Sequence, residues 1–330
     1  MPEIRQNLAT KEWVIIATER ARRPEDFKTR RTENKLPARS DTCPFCPGNE
    51  VNAPGETCVI SDENGWKAKS VPNKYPALQA DGDRTRTIKG IKRYMTGVGI
   101  HEVIIETPVH NTTTALMKDR DVEDIIRIYR ERYIALSEDE RIELVTIFKN
   151  HGESAGTSLE HPHSQIVGTP VVPQHIRLRI EEAMRYFDDN GECVFCRMMK
   201  EELREKERII LETDCFVSFI LYAAASPFHT WILPKRHTAS FGKISDREVA
   251  DLAKILRTTL AKMYYGLENP DFNYVIRSSP CDIGESDSFH WYLSIMPRIT
   301  KTAGFELGSG MYINTSFPEE SAKFLRGVKI

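Results

Sequence analysis

The sequence predicts an α+β fold built twice, as two halves that each hold an antiparallel sheet and one main helix. The first observation is a repeated order. Cys-x-x-Cys, strand, His, capped helix, strand, polar loop and His on a strand run from Cys43 to His161, and again from Cys193 to His290. The second is spacing: 51 residues separate His110 from His161, and 53 separate His237 from His290. A period this long lies well above the solenoid repeats, so it implies two similar domains, residues 1–170 and 171–330. Antiparallel sheets of this kind can also join edge to edge into one larger sheet.

Each element has a local reason. Residues 12–18, Glu-Trp-Val-Ile-Ile-Ala-Thr, form a strand, and the basic run Arg20-Ala-Arg22-Arg23-Pro24 follows. Residues 25–42 are charged and poor in large apolar groups, which makes them a surface loop. Two prolines within five residues predict an irregular loop over 71–78, and the Asp-, Gly- and Arg-rich stretch 79–95 predicts an exposed excursion. β-Branched residues make 101–107 a strand, just before His110. Asp121 is expected to cap a helix with Val122, Ile125, Ile126, Tyr129, Tyr133 and Leu136 on one face. Ile142 to Phe148 is a strand that ends in the glycine- and hydroxyl-rich loop from Asn150 to Ser158, and such loops present backbone donors to anions.

The second half follows the same grammar. One or two strands fall between Ile209 and Ile220, and a strand at 229–234 leads to His237. Ser245-Asp-Arg-Glu248 is a capping box ahead of Val249, Leu252, Ile255, Leu256 and Met263 on one stripe. A strand at 272–277, a polar loop at 278–288 and a last strand at 289–296 complete it. A Cys-x-x-Cys alone could be a redox motif, but neither pair precedes a recognisable thioredoxin-like helix.

Composition removes several function classes. The chain has 330 residues, enough for two cores. A net charge of -2 with 28% charged residues argues against a nucleic-acid or membrane-surface binder. No apolar run nears the roughly 18 residues of a spanning helix, and the N-terminus lacks a signal core, so a soluble cytoplasmic protein is expected. Seven cysteines without a signal point to reduced thiols. Cys58, Cys215 and Cys281 have no partner spacing and read as buried or idle thiols.

The chemistry centres on His161-Pro162-His163-Ser164-Gln165. Proline disfavours a helix interior and biases its predecessor to extended geometry. In a strand, residues two apart share a face, so His161, His163 and Gln165 look onto one patch. Alone, His-x-His could equally be a polar sheet face. The repeat supplies the rest, because each half offers two cysteines and two histidines, a tetrahedral zinc set. Cys43, Cys46, His110 and His161 are expected to form one structural zinc site, and Cys193, Cys196, His237 and His290 the other. Two residues past the last ligand the first half has His163 and the second Tyr292, which singles out His163. A neutral imidazole can attack an α-phosphorus and split one transfer into two steps. Gln165, Ser158 and the backbone N–H groups of the Gly152 to Ser158 loop are the nearest donors for the phosphoryl oxygens.

Taken together, His161-Pro-His163-Ser-Gln165, Cys43-Pro-Phe-Cys46, the Arg20 to Pro24 segment, Asn73-Lys-Tyr-Pro-Ala-Leu and Gly304-Phe-Glu-Leu-Gly-Ser-Gly310 resemble the galactose-1-phosphate uridylyltransferase family of the histidine-triad superfamily. The resemblance covers nearly the whole chain. It implies a duplicated histidine-triad-like fold and a double displacement in which UDP-glucose uridylylates His163 and a hexose 1-phosphate takes the UMP. By position it implies that Gln165 contacts the transferred phosphate and that Arg20, Arg23, Asn73, Asn150, Gly156 and Ser158 hold nucleotide and phosphate. Phe305 and Glu306 fall on the hexose side. It also implies a homodimer whose site takes residues from both subunits, with the N-terminal arginines or the 304–314 segment as donors. The chain departs from the best-known members at Lys74, where they have Asp, and at Tyr312, where they have Gln, and it lacks a convincing iron site. An intact second Cys/His set is a feature of the family's ADP-glucose phosphorylase-like branch. Adenylyl transfer from ADP-glucose or adenylyl sulfate is therefore the alternative, followed by a nucleotide sensor or a histidine-triad hydrolase.

Overall fold

The computed structural model describes residues 1–17, 23–28, 36–49 and 55–330. Strands β1 (Glu3–Gln6) and β2 (Trp13–Ile16) open the chain, and a single helical turn at Pro24–Phe27 buries Phe27. Next come β3 (Cys58–Asp62), β4 (Gly65–Pro72), an exposed hairpin of β5 (Arg86–Lys89) and β6 (Lys92–Met95), and β7 (Ile100–Ile105). Helix α1 (Asp119–Ser137), β8 (Leu144–His151) and β9 (His163–Thr169) complete the first half. The second half runs α2 (Gln174–Asn190), α3 (Val194–Glu205), β10 (Ile209–Glu212), β11 (Phe216–Ile220), β12 (Thr230–Pro234), α4 (Asp246–Leu267), β13 (Phe272–Arg277) and β14 (Tyr292–Pro297). Helix α5 (Gly304–Ser309), β15 (Tyr312–Asn314) and α6 (Pro318–Gly327) end the chain.

The duplication is visible in the sheet. Ten strands form one sheet in the order β10-β11-β12-β14-β13-β8-β9-β7-β4-β3. Its first half, read inward, is β3-β4-β7-β9-β8 and its second is β10-β11-β12-β14-β13, the same permutation, with β8 and β13 joined antiparallel at the centre. The two halves do pair edge to edge. A separate three-stranded sheet, β1-β2-β15, docks beside them.

Helices α1 and α4 cover one face of this sheet and pack on each other. The apolar stripe expected on α1 is buried in full, as is that on α4. Ser245 caps α4, its Oγ accepting from the Glu248 N–H while Glu248 returns to the Ser245 N–H.

Several expectations are corrected. Asp121 is not the cap of α1; the helix starts at Asp119, and Asp121 reaches back from the third position to accept from the Lys118 N–H. Val71 and Pro72 belong to β4 rather than to a loop, since a proline at the last strand position forfeits little pairing. Helix α3 has no counterpart among the sequence-based expectations: Cys193 is its N-cap, and Val194, Phe195 and Met199 supply its buried side. The 79–95 excursion is exposed as expected and holds a hairpin. Arg20 lies outside the described residues.

Candidate active site and two metal centres

The first Cys/His set assembles around the entry to β9. Pro162 keeps the chain extended there, its carbonyl accepting from the Glu106 N–H at 3.1 Å. Cys46 Sγ lies 3.5 Å from His110 Nδ1 and 3.6 Å from His161 Nδ1, and Cys43 Sγ is 3.6 Å from the same His161 nitrogen. All four side chains are buried, with their ligand atoms within 4.8 Å of one another. His161 Nε2–H donates to the Thr107 carbonyl at 2.7 Å, which leaves Nδ1 as the ligating lone pair. Burial holds the His161 imidazole down to about 4, so it is neutral, as a metal ligand must be. Two thiols and two imidazoles at this spacing fit a tetrahedral metal of zinc type.

The second set repeats the geometry. Cys196 Sγ is 3.3 Å from both His237 Nδ1 and His290 Nδ1, and the four groups again fall within 4.8 Å. His237 Nε2–H donates to the Ser286 carbonyl at 3.0 Å. A hydrogen bond from Cys196 holds the Cys193 thiol well below its ordinary range.

His163 sits beside the first centre and is not part of it. Its Nδ1–H donates to the His161 carbonyl at 2.8 Å, which fixes the tautomer and leaves Nε2 with a free lone pair. Phe45, from the Cys-x-x-Cys loop, packs on the ring at 5.4 Å. Burial lowers the imidazole from its usual range, keeping it neutral near neutral pH. Ser164 points to the other side of the sheet, where the Tyr129 hydroxyl donates to it at 2.6 Å, so His163 and Gln165 share the face away from α1.

Some of the other candidate residues gather nearby. Gln165 Oε1 accepts from His101 Nε2–H at 2.8 Å, and the Ala77 N–H donates to His101 Nδ1 at 3.1 Å. The Asn73 side-chain amide lies 3.1 Å from the same His101 Nε2. Asn150 Oδ1 accepts from Asn273 of the second half at 2.8 Å. The loop after Asn150 turns through Gly152 and Gly156 at φ of 86° and 88°, values that favour glycine. An added Cβ on Gly156 would stand 4.0 Å from Asn150 Nδ2, which places this turn against Asn150. Ser158 is exposed at the end of that loop, and Arg23 is exposed at the start of the Pro24 turn. Phe305 and Glu306 are not joined to this cluster by any hydrogen bond among the described residues. They lie on α5, which has no buried residue, and Glu306 caps its own helix by accepting from the Ala303 N–H at 3.0 Å.

Sequence reading missed two further groups. His101 was placed in a strand without a role, yet it holds the Gln165 amide. Beneath His163, Lys149 and Glu106 form an ion pair at 2.5 Å, each no more than 1% exposed. Thr114 also donates to Glu106, the Tyr129 hydroxyl lies 3.4 Å from it, and Lys149 reaches the His163 carbonyl at 3.4 Å. Burial pulls the Lys149 ammonium down and the Glu106 carboxylate pulls it up. Lys149 inside the apolar strand β8 and Glu106 directly after β7 were the available signal. Lys149→Met is expected to cost about 3–5 kcal/mol by leaving Glu106 buried and unpaired. Urea unfolding should show it, with much of the loss recovered in the Lys149→Met/Glu106→Gln double variant.

The second half keeps the frame of this site with altered chemistry. Tyr292 replaces His163, Ser294 replaces Gln165, and His229 Nε2 meets Ser294 Oγ at 2.9 Å as His101 meets Gln165. Helices α2 and α3 roof this face: Arg179 donates to the Tyr292 hydroxyl at 2.9 Å and Phe195 packs on its ring. Burial, aided by Arg179 and Arg277, pushes His229 down to about 3. The unfolded chain then takes up a proton near pH 6.5 that the folded chain refuses until about 3. Stability is therefore expected to fall as pH drops through this window. Thermal midpoints of wild type and His229→Gln between pH 7 and 4 check it, the variant showing the shallower slope.

Residues 1–173 match the family described as galactose-1-phosphate uridyl transferase, N-terminal domain, and residues 179–304 match its C-terminal domain. The chain belongs to this family. Among its relatives, an ADP-glucose phosphorylase of Arabidopsis thaliana is 37% identical, covering all of this chain and 93% of that protein. A galactose-1-phosphate uridylyltransferase of Thermotoga maritima is 28% identical, covering 100% and 99%. Both kinds of relative are nucleotidyltransferases. The crystal structure of the Arabidopsis phosphorylase with bound ADP-glucose superposes with a TM-score of 0.85 at 33% identity, over 100% of this chain and 99% of that one. The family and the duplicated antiparallel fold expected from the motifs are thus borne out. No helix among the described residues is long and apolar enough to cross a membrane.

Proposed function

We propose that this family member transfers a nucleotidyl group through a covalent bond to His163 Nε2. The observation that carries the proposal is the tie from His163 Nδ1–H to the His161 carbonyl, which leaves Nε2 unprotonated and unbonded. In the first step the N–P bond forms and the sugar phosphate leaves with the bridging oxygen. In the second an acceptor phosphate oxygen attacks, the N–P bond breaks and the imidazole is restored. Gln165, its carbonyl side engaged by His101, offers its NH₂ to the phosphoryl oxygens, and Asn73, Asn150 and the Gly156 to Ser158 turn bind the nucleotide.

The whole-chain likeness to the Arabidopsis phosphorylase and the second Cys/His set favour ADP-glucose as donor and inorganic phosphate as acceptor. Uridylyl transfer from UDP-glucose to a hexose 1-phosphate is the second reading, favoured by the family match and the Thermotoga relative. Both metal centres hold structural zinc in this reading. Residues 1–170 are the catalytic domain and 171–330 its counterpart without the nucleophile. The protein works in the cytoplasm as a homodimer, with either the N-terminal arginines Arg20 and Arg23 or the 304–314 segment that carries Phe305 and Glu306 reaching substrate across the subunit boundary. The exposure of Phe305 and Leu307 on α5 supports that arrangement.

Intact mass after incubation with ADP-glucose or UDP-glucose tests the proposal. An acid-labile AMP or UMP adduct names the donor, and no adduct with either defeats the covalent route. Gln165→Met should slow adduct formation about 100-fold or more. His101→Phe, which frees the Gln165 amide and also removes the contacts to the Ala77 N–H and the Asn73 amide, should slow it about 10-fold. Equal rates for all three proteins in single turnover would remove both from the mechanism.

A further inference from the structure

The roofed face of the second half contains an unassigned charge problem. On the register that sets Phe148 opposite Gln165, Asn150 stands opposite His163. The matching position opposite Tyr292 is Arg277. An arginine thus occupies the place of the Asn150 amide, and α2 adds a second, Arg179, over the same tyrosine. Both arginines line a small, partly open cavity with about 20 Å³ of space for a water-sized sphere, together with Thr146, Ile176, Ser278 and Phe289.

The charges there do not balance. Arg179 has one carboxylate in reach, Glu12 at 3.8 Å, and that group is 45% exposed and turned partly to water. The Arg277 side chain has neither a hydrogen bond nor an ion pair among the described residues. The other polar groups facing the cavity are neutral hydroxyls, and His229 behind them is neutral as well. Two half-buried guanidinium groups lining one small cavity with one solvated counter-charge repel each other. A small anion between them removes that cost.

We propose that Arg179 and Arg277 hold one monatomic monovalent anion, chloride in ordinary buffers, at the joint between the two halves. The size of the cavity sets the class, since a space with room for about one water-sized sphere suits a halide better than phosphate or a carboxylate. Its walls come from β8 of the first half, β13 of the second and α2, so the ion links the sheet junction to the roof. It is a binding site separate from the His163 chemistry, and its test does not depend on that chemistry.

Crystals of the full chain grown in sodium bromide, measured at the bromine edge, should show an anomalous peak between Arg179 and Arg277. In solution, the melting temperature should be higher in sodium chloride than in sodium gluconate of equal ionic strength. Arg277→Met should abolish that difference. A non-anomalous water in the cavity would overturn the proposal. So would equal melting temperatures in the two salts, or a chloride effect that persists undiminished in Arg277→Met. If that variant does not fold, the bromide map and the chloride–gluconate comparison on the native chain decide alone.

Discussion

His163→Ala is expected to abolish the covalent nucleotide adduct and to lower turnover by about 10⁴-fold or more, the scale seen when a covalent nucleophile is removed. The geometry says why nothing substitutes for it. The other imidazoles nearby are committed, His110 and His161 to the metal set and His101 to the Ala77 N–H and Gln165. His163 alone combines a tied Nδ1–H with a free Nε2. Because the ring is buried against Phe45, the alanine variant also loses some packing, so His163→Asn is the better control. Its amide can keep the bond to the His161 carbonyl, and it should fold with a near-native melting temperature while forming no adduct. Residual adduct in His163→Asn, read by intact mass, would move the nucleophile elsewhere.

Cys46→Ser is expected to lower the melting temperature by about 10 °C and to reduce metal content from two ions per chain to one. Structural zinc contributes on the order of 10 kcal/mol to folding where it has been measured in small peptides. A third of that, at about 2–4 °C per kcal/mol, gives the stated shift. The first centre is the more consequential for function, because it clamps the Cys43–Cys46 loop, the segment after β7 and the entry to β9 at one point. His163 hangs from that clamp through the carbonyl of a ligand, His161. Elemental analysis with melting curves checks both numbers. An unchanged melting temperature with the metal lost would make the centre incidental to folding.

The fold was legible because duplication writes itself twice. The order of Cys, His and capped helix around Cys43 to His161 and Cys193 to His290 is local information, and the stripes on α1 and α4 follow from helical period alone. Both ligand sets were readable for the same reason, as was the contrast of His163 with Tyr292. What could not be read was anything set by packing between distant segments. Helix α2 was overlooked because its buried side is narrow, only Ile180 and Ala183 being fully covered, so its stripe is faint in sequence. The helix after Cys193 was overlooked because its cap is a cysteine, a residue that also ligates.

By itself, the sequence determined the family, the twofold plan and the identity of the side chains that can ligate or attack. Those are properties of residue type and spacing, which survive without coordinates. Tertiary structure alone decided which nitrogen of His163 is free, that His101 orients Gln165, that Lys149 and Glu106 share a charge under the nucleophile, and that two arginines crowd the mirrored site. Each of these is a contact between segments far apart in the chain, and each depends on a hydrogen bond or a desolvated charge whose partner only folding supplies.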